Sequence, residues 1–141
     1  YYASRGLGDV YKRQEAFLRY MAPAGKLFPL AEELHAAGSA VAGCGPAFAA
    51  IFLESMAAGG VACGLPRASA IQYAAQMMLG TAKMVLETNQ HPGVLKDSVC
   101  SPAGSTIQGV RTLEERGMRA AVLDAVTVAY EKNVELKKAS D

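Results

Sequence analysis

The chain has 141 residues and a mass of 14.8 kDa, which is enough for one domain with a buried core. Apolar residues make up 51% and the net charge is +1. These values exclude extensive disorder and a nucleic-acid binder that works through bulk positive charge. The three cysteines form no CxxC pair. We therefore expect neither a structural zinc site nor a disulfide framework, and free thiols indicate a reducing compartment such as the cytoplasm.

The first fourteen residues, YYASRGLGDVYKRQ, carry no sustained apolar period of a strand or a helix. They also lack the apolar centre of a signal peptide. The stretch resembles a translated sequencing adaptor joined to a truncated reading frame, and a disordered native arm is the alternative. We expect residues 1–14 to be a non-native or disordered tail outside the fold.

The next segment predicts the end of a helix and then an extended stretch. Residues 15–22 (EAFLRYMA) are typical of a helix that stops before Pro23. Residues 26–30 form a short apolar run that predicts either a strand or an extended connection. Residues 32–37 indicate a helical turn, and no β-alternation follows residue 31.

A charge-poor stretch dominates the middle of the chain. Residues 36–95 contain only four charged side chains. This composition favours helices that are buried on nearly every side by packing against a partner. The uncharged run 34–53 has the length of a membrane span, but Pro46, three glycines and many alanines make it weakly hydrophobic. A membrane-associated helical hairpin is the less favoured alternative.

From residue 46 onward the pattern is all-α, with short connections. Prolines and serines placed at helix starts, and glycines placed after helix ends, set the predicted bounds. Gly64 and Gly117 are expected to end helices. The predicted helices are 46–63, 66–88, a short helix or turn at 94–100, 101–116 and 118–137.

The segment 101–106, SPAGST, is the best candidate for a binding site. Ser101 can cap the predicted helix, and Pro102 suits its first position. Backbone amides at the positive end of a helix dipole attract a carboxylate or phosphate. The residues that would present amides or hydroxyls here are Ala103, Gly104, Ser105 and Thr106. The alternative is an ordinary capped helix start that binds no ligand.

The SPAGST segment does not stand alone. Four further motifs accompany it: GCGPAF at 43–48, GLPR at 64–67, AKMVLET at 82–88 and HPGVLKD at 91–97. With these motifs in order, the chain closely resembles the pyrroline-5-carboxylate reductase family from about residue 15 to residue 138. Two positions depart from the family pattern: Ala103 stands where the family most often has glycine, and Cys44 where serine is common.

The resemblance implies a fold and a domain organisation. It implies an all-α fold, a helical dimerisation domain of the 6-phosphogluconate-dehydrogenase C-terminal-like type, preceded by a remnant of a Rossmann domain. Residues 15–35 would be that remnant, the last helix and last strand. Residues 36–141 would be the helical dimerisation and substrate-binding domain. The rest of the Rossmann domain, with the NAD(P) fingerprint, would be missing.

The resemblance also implies a reaction: NAD(P)H-dependent reduction of 1-pyrroline-5-carboxylate to L-proline, the final step of proline biosynthesis. NADPH or NADH would bind the missing domain, no metal would be needed, and the isolated fragment would be inactive. The partners would be this substrate and product and a second copy in a homodimer or larger homo-oligomer, with no nucleic acid and no membrane. The alternative is a helical homodimerisation module without its own catalytic activity.

Carried over from the family, the roles of the site residues are as follows. The Thr106 hydroxyl would hydrogen-bond the ring nitrogen, which makes Thr106 the catalytic residue. The Ser101 hydroxyl and the amides of Gly104, Ser105 and Thr106 would hold the substrate carboxylate. Ala103 would line the turn.

Overall fold

The computed structural model describes residues 2–140, with the side chains of residues 12–23 and 25–139. All regular elements in this part of the chain are helices. They fall into two compact units, one up to His35 and one from Ala36 onward. The all-α prediction is therefore confirmed for the described residues.

The first unit is a helix followed by an extended segment. Helix α1 (Tyr2–Met21) ends before Pro23, as predicted, and a short 3-10 turn, Ala22–Ala24, follows it. The helix also runs back through residues 2–14, where the sequence predicted no regular element. Once a helix has formed, each added residue gains a backbone hydrogen bond at low cost, so α1 can extend beyond its predictable end.

No strand forms at residues 26–30, which lie in an extended connection between helical elements. A strand needs a neighbouring strand to accept and donate its backbone hydrogen bonds. The described part of the chain provides no such neighbour. Of the two alternatives that the sequence left open, the extended connection is the one observed, and a 3-10 turn at Glu32–Leu34 follows it.

The second unit consists of short and long helices joined by short connections. Its long helices begin and end within one residue of the predicted bounds, apart from the helix after SPAGST and the last helix, which extends to Ser140. The helices are α2 (His35–Ala42), α3 (Gly45–Ala62), α4 (Arg67–Thr88), α5 (Pro92–Ser98), α6 (Ser105–Glu115) and α7 (Met118–Ser140).

Residues with left-handed backbone angles end three of these helices. Gly64 follows α3 with φ 99° and Gly117 follows α6 with φ 72°, as the sequence predicted. Asn89 follows α4 with φ 54°, and its amide donates to the Val85 carbonyl at 3.1 Å. Asparagine tolerates this conformation better than most residues. These stops allow the chain to turn between consecutive helices.

The core of the second unit is made of small side chains. Helix α3 packs on α4 along Ala57, Ala70 and Ala74, which are buried. A Cβ at Gly60 would lie only 3.3 Å from the Ala70 Cβ, so the two backbones are close here. A link from the far end of the chain is the Asn133 side-chain amide, which donates to the Ala36 carbonyl at 3.2 Å.

The large apolar side chains remain mostly at the surface. In the described chain the fully buried hydrophobic residues are four alanines. Meanwhile Ile51 and Tyr73 are each 64% exposed and Leu123 is 65% exposed. Burial of apolar area is the main favourable term in folding. Helices that leave this much of it in water gain stability by covering it with a partner.

One stretch of the described chain, Glu32–Ala62, is long and apolar enough to cross a membrane by length and composition alone. It combines a 3-10 turn with α2 and α3 and has a mean hydropathy of 1.6 in its most apolar window. A membrane span and a helix that docks on another chain both require such a surface.

Candidate functional site

The segment before the candidate site is a short capped helix. His91 precedes α5, and its Nδ1 accepts a hydrogen bond from the Gly93 amide at 3.1 Å. Pro92 occupies the first helical position, where a missing N–H costs nothing. His91 therefore acts as the N-cap of α5. The Cys100 amide closes the other end by donating to the Asp97 carbonyl at 3.1 Å.

The helix that follows begins later than predicted. The sequence predicted a start at Ser101, with Pro102 at the first helical position. Instead, residues 101–104 form a turn in which the Gly104 amide donates to the Ser101 carbonyl at 3.1 Å. Helix α6 begins at Ser105, with Gly104 as its N-cap residue. The start at Ser101 is wrong because Ala103 leaves the helical region, with φ 58°.

Ala103 occupies a conformation that L-residues adopt rarely. Its left-handed angles set its Cβ against the following carbonyl group, and glycine avoids this cost. This accounts for the preference for glycine that the family resemblance attaches to this position. The backbone reversal at residue 103 therefore requires a positive φ, and a side chain at this position is not needed for it.

We expect Ala103→Gly to raise the melting temperature of the chain by about 4 °C, equivalent to about 1 kcal/mol. Relief of the left-handed strain outweighs the greater entropy of glycine in the unfolded chain. Ala120→Gly in α7 is the matched control, and there the same change lowers stability by about 1 kcal/mol. Thermal unfolding followed by circular dichroism measures both. A lower melting temperature for Ala103→Gly than for the wild type would show that Ala103 is not strained.

Gly104 allows the Ser101 side chain to lie over the start of α6. A Cβ at position 104 would overlap the Ser101 hydroxyl oxygen and would lie 3.2 Å from the Ser101 carbonyl oxygen. The absence of a side chain at Gly104 therefore leaves the space that the Ser101 hydroxyl occupies beside the N-cap residue of α6. The Gly104 amide itself is engaged with the Ser101 carbonyl.

The open donors at the start of α6 lie one residue further on than the sequence indicated. The amides of Ser105, Thr106 and Ile107 occupy the positions that have no partner within a helix, and no side chain caps them. The Ile107 amide was missed because the predicted helix start was too early. Ser101, Ser105 and Thr106 are exposed, and their hydroxyls form no hydrogen bond within the described residues.

This arrangement suits a small anion. Three amides at the positive end of an 11-residue helix and hydroxyls on either side can donate to a carboxylate. The donors face solvent, so a ligand can reach them without displacing packed side chains. Thr106 is placed with both its amide and its hydroxyl at this helix end, which allows one residue to contact two groups of a ligand.

The charged residues near the site form local pairs at the surface. Lys96 Nζ lies 2.7 Å from Asp97 Oδ1, and the hydrogen bond and charge of Asp97 raise the pKa of Lys96 above its ordinary 10.5. Arg119 Nε lies 2.6 Å from Glu114 Oε1. Both are surface ion pairs, which contribute little to stability.

Helices α6 and α7 form the sides of an apolar groove of about 820 Å³. Lys96, Glu114 and Arg119 lie among its lining residues. The apolar lining residues are Val110, Leu113, Met118, Val122, Leu123 and Val126. This groove lies on a different set of residues from the turn at 101–104.

The described residues contain no cluster of three or more His, Cys, Asp or Glu side chains that could hold a metal ion. Cys44, Cys63 and Cys100 are free thiols. The described residues also do not fit a dinucleotide, since a dinucleotide site uses a glycine-rich turn between a strand and a helix. The part of the chain that the structure describes contains no strand, so no residue here is assigned to a nucleotide.

Fold and turn together define a class: an all-helical domain that, in the described residues, leaves much apolar surface exposed and has an uncapped helix start at Ser105. Residues 32–136 match the family model described as pyrroline-5-carboxylate reductase dimerisation. The chain belongs to this family.

Relatives of the chain share both sequence and fold with it. It is 55% identical over 98 residues to pyrroline-5-carboxylate reductase of Escherichia coli, a match that covers 70% of this chain and 36% of the relative. It is 48% identical over 124 residues to that of Methanosarcina acetivorans, a match that covers 88% of this chain and 46% of the relative. The chain thus spans less than half the length of these relatives.

Solved structures give the same result. A pyrroline-5-carboxylate reductase from Coxiella burnetii superposes with a TM-score of 0.81 at 28% identity, over 89% of this chain and 47% of the other. A Plasmodium falciparum pyrroline carboxylate reductase with NADP bound superposes with a TM-score of 0.73 at 34% identity, over 77% and 44%. The family resemblance and the helical fold predicted from the sequence are confirmed.

Proposed function

We propose that the chain is the helical dimerisation and substrate-binding part of a pyrroline-5-carboxylate reductase. Residues 36–141 form this part, residues 15–35 derive from the end of a Rossmann domain, and residues 1–14 are a non-native tail. The observation that carries the proposal is the turn at 101–104, which leaves the first amides of α6 open at an exposed helix end. The 55% identity to a named reductase supports it.

The substrate is a five-membered cyclic imine with a carboxylate on the ring. The Ser101 hydroxyl and the amides of Ser105, Thr106 and Ile107 hold the carboxylate. Gly104 supports the turn, and its lack of a side chain leaves room for the Ser101 hydroxyl. Ala103 lines the turn. These residues fix the ring in one orientation, and positioning of this kind supplies much of the rate in a two-substrate reaction.

The Thr106 hydroxyl hydrogen-bonds the ring nitrogen and is the catalytic residue. This hydrogen bond stabilises the transition state, because the charge on the ring nitrogen changes as the imine is reduced. A reduced nicotinamide, NADPH or NADH, would supply the hydride when bound to the Rossmann domain of the complete reductase. The solved Plasmodium falciparum relative has NADP bound, which supports that cofactor class.

The chain works as a homodimer or a larger homo-oligomer in the cytoplasm. The name of the matching family and the exposed apolar side chains support self-association. The three free thiols support a reducing compartment. We expect residues 1–141 to be inactive as a reductase when assayed alone, because the described residues do not fit a dinucleotide.

A second candidate function is that of an assembly module without a ligand. The observation that favours it is the extent of the exposed apolar surface, which includes the groove between α6 and α7. In this function, the turn at 101–104 only starts α6. The two candidates differ in whether the open amides take an anion.

Binding of L-proline or tetrahydrofuran-2-carboxylate tests the proposal. At millimolar ligand we expect amide NMR shifts at Ser105, Thr106 and Ile107, since these amides gain a charged acceptor. Pyrrolidine, which has no carboxylate, is the matched control and leaves them unchanged. Equal spectra with and without L-proline would favour the assembly module. Turnover of the imine with NADPH by residues 1–141 alone would show that the nucleotide site is wrongly placed.

A further inference from the structure

The helix before the candidate site takes its cap from an imidazole. His91 is the N-cap residue of α5, and its Nδ1 accepts from the Gly93 amide at 3.1 Å. Pro92, which lies between them, has no N–H to donate. Gly93 leaves room for the ring, since a Cβ there would lie only 3.0 Å from Nδ1. His91 therefore does for α5 what an asparagine or serine cap does for most helices.

Helix α5 is short and lies at the surface, so its local hydrogen bonds are important. It has 7 residues, which make about two turns. A helix of this length is marginal without support from its neighbours. No other helix packs extensively on α5 in the described chain, and Val94 is 55% exposed. Loss of the cap therefore loosens a large part of the helix.

The other end of α5 leads into the turn at 101–104 without a linker. The Cys100 amide closes α5 by donating to the Asp97 carbonyl at 3.1 Å, and the turn begins at the next residue. Within the turn, the Gly104 amide donates to the Ser101 carbonyl at 3.1 Å. The turn also contains a left-handed alanine, a conformation that persists only where the surrounding structure holds it. Helix α5 supports this turn from one side and α6 supports it from the other.

We propose that His91 is a positioning residue for the substrate site, and that protonation of its imidazole loosens the turn before α6. The inference rests on the proposed function for the anion that binds the amides of Ser105, Thr106 and Ile107. A protonated imidazole carries hydrogen on both ring nitrogens, so its Nδ1 cannot accept from the Gly93 amide. It also places a positive charge at the positive end of α5. The site therefore binds its anion more weakly in acid than at neutral pH.

The charged groups near His91 are engaged elsewhere. No carboxylate of the described residues lies within ion-pair distance of the imidazole. Glu87 is the nearest charged residue before it in the chain, and it pairs with Lys83 at 3.6 Å. Lys96 is the nearest one after it, and it pairs with Asp97 at 2.7 Å. Within the described residues, Nδ1 therefore bonds only to the start of α5.

Binding of tetrahydrofuran-2-carboxylate to the full chain at about pH 7.5 and about pH 5.5 tests the inference. The ligand carboxylate is charged at both values, and histidine is the side chain that ordinarily changes charge between them. We expect the wild-type dissociation constant, measured from the amide NMR shifts of residues 105–107, to be about threefold higher in acid. His91→Asn keeps a capping oxygen that does not titrate and should bind equally at both pH values. His91→Ala should bind about threefold more weakly than the wild type at neutral pH, with no further loss in acid.

His35→Asn is the matched control, since His35 is the other histidine of the chain and lies in the other compact unit. This variant should keep the pH dependence of the wild type. Equal wild-type affinity at both pH values, or a pH dependence that survives in His91→Asn, would overturn the inference and leave the proposed function intact. A chain that binds the carboxylate at neither pH would overturn the proposed function and the inference with it.

A pH titration of the ligand-free chain measures the coupling directly. The Gly93 amide signal reports the cap, and the amide signals of residues 105–107 report the start of α6. We expect all of these signals to move with one midpoint in the wild type, and those of residues 105–107 to stay in place in His91→Asn. Movement of the Gly93 signal alone would show that α5 does not transmit the change to the turn, and the inference would be wrong.

Discussion

Replacing Thr106 with alanine lowers kcat/KM by about 10- to 100-fold in a complete reductase that carries this domain. The loss of one hydrogen bond to a charged or charge-developing group costs about 1.5–3 kcal/mol, and each 1.4 kcal/mol is a factor of about ten. The enzyme is obtained by joining residues 32–141 to the N-terminal part of the Escherichia coli relative, to which the chain is 55% identical over 98 residues. Initial rates with the imine and NADPH measure the effect.

Two variants control this experiment. Thr106→Ser keeps the hydroxyl and should have most of the wild-type kcat/KM. If the effect of Thr106→Ala came from lost packing of the methyl group, the serine variant would be impaired as well. Thr112→Ala removes a threonine of the same helix, whose hydroxyl donates to the Gln108 carbonyl at 3.1 Å, and should leave kcat/KM unchanged. Wild-type kinetics for Thr106→Ala would remove Thr106 from the catalytic role. An equal loss in both alanine variants would indicate a structural effect on α6.

The helices were predictable because their ends depend on local chemistry. Pro46 was expected at a first helical position and lies one residue into α3, and Gly64 adopts the left-handed angles that stop this helix. Pro92 begins α5 two residues before the predicted start at residue 94. These preferences act within a few residues, so a single sequence contains them.

The candidate turn was predicted to the right segment but with the wrong start. Ser101-Pro102 has the local pattern of a cap and a first helical residue, and that pattern is satisfied equally well by a turn. The turn forms because Ala103 takes φ 58° and Gly104 accommodates the Ser101 hydroxyl. Local preference alone does not favour a left-handed alanine. The shift of the free donors to Ser105, Thr106 and Ile107 therefore could not be predicted from propensity.

Local sequence preferences do not show which surfaces of the helices are covered, or by what. The sequence indicated burial on nearly every side, and the charge-poor stretch 36–95 was correctly assigned to helices. In the single chain, however, small residues such as Ala57 and Ala74 form the contact between α3 and α4, and large residues such as Ile51 stay exposed. The apolar side chains become buried only when another chain covers them. This explains why residue types typical of a core lie on the surface of the single chain.

Leu123→Asp tests that explanation with a large expected effect. Leu123 is 65% exposed and lines the apolar groove between α6 and α7. If a second copy covers this groove, the substitution buries an unpaired carboxylate, which costs several kcal/mol. We expect the dimer dissociation constant to rise about 100- to 1,000-fold, since each 1.4 kcal/mol is a factor of about ten. Sedimentation equilibrium of the full chain measures the change.

Lys137→Asp, which also places an aspartate at an exposed position of α7, is the control and should alter the dissociation constant less than about threefold. The Leu123→Asp change would cost a solvent-exposed helix little, because surface substitutions usually fall within about 0.5 kcal/mol. A large loss of association for Leu123→Asp alone therefore reports contact with another copy rather than damage to α7. A Leu123→Asp variant that dimerises like the wild type would show that the groove stays open to water in the dimer.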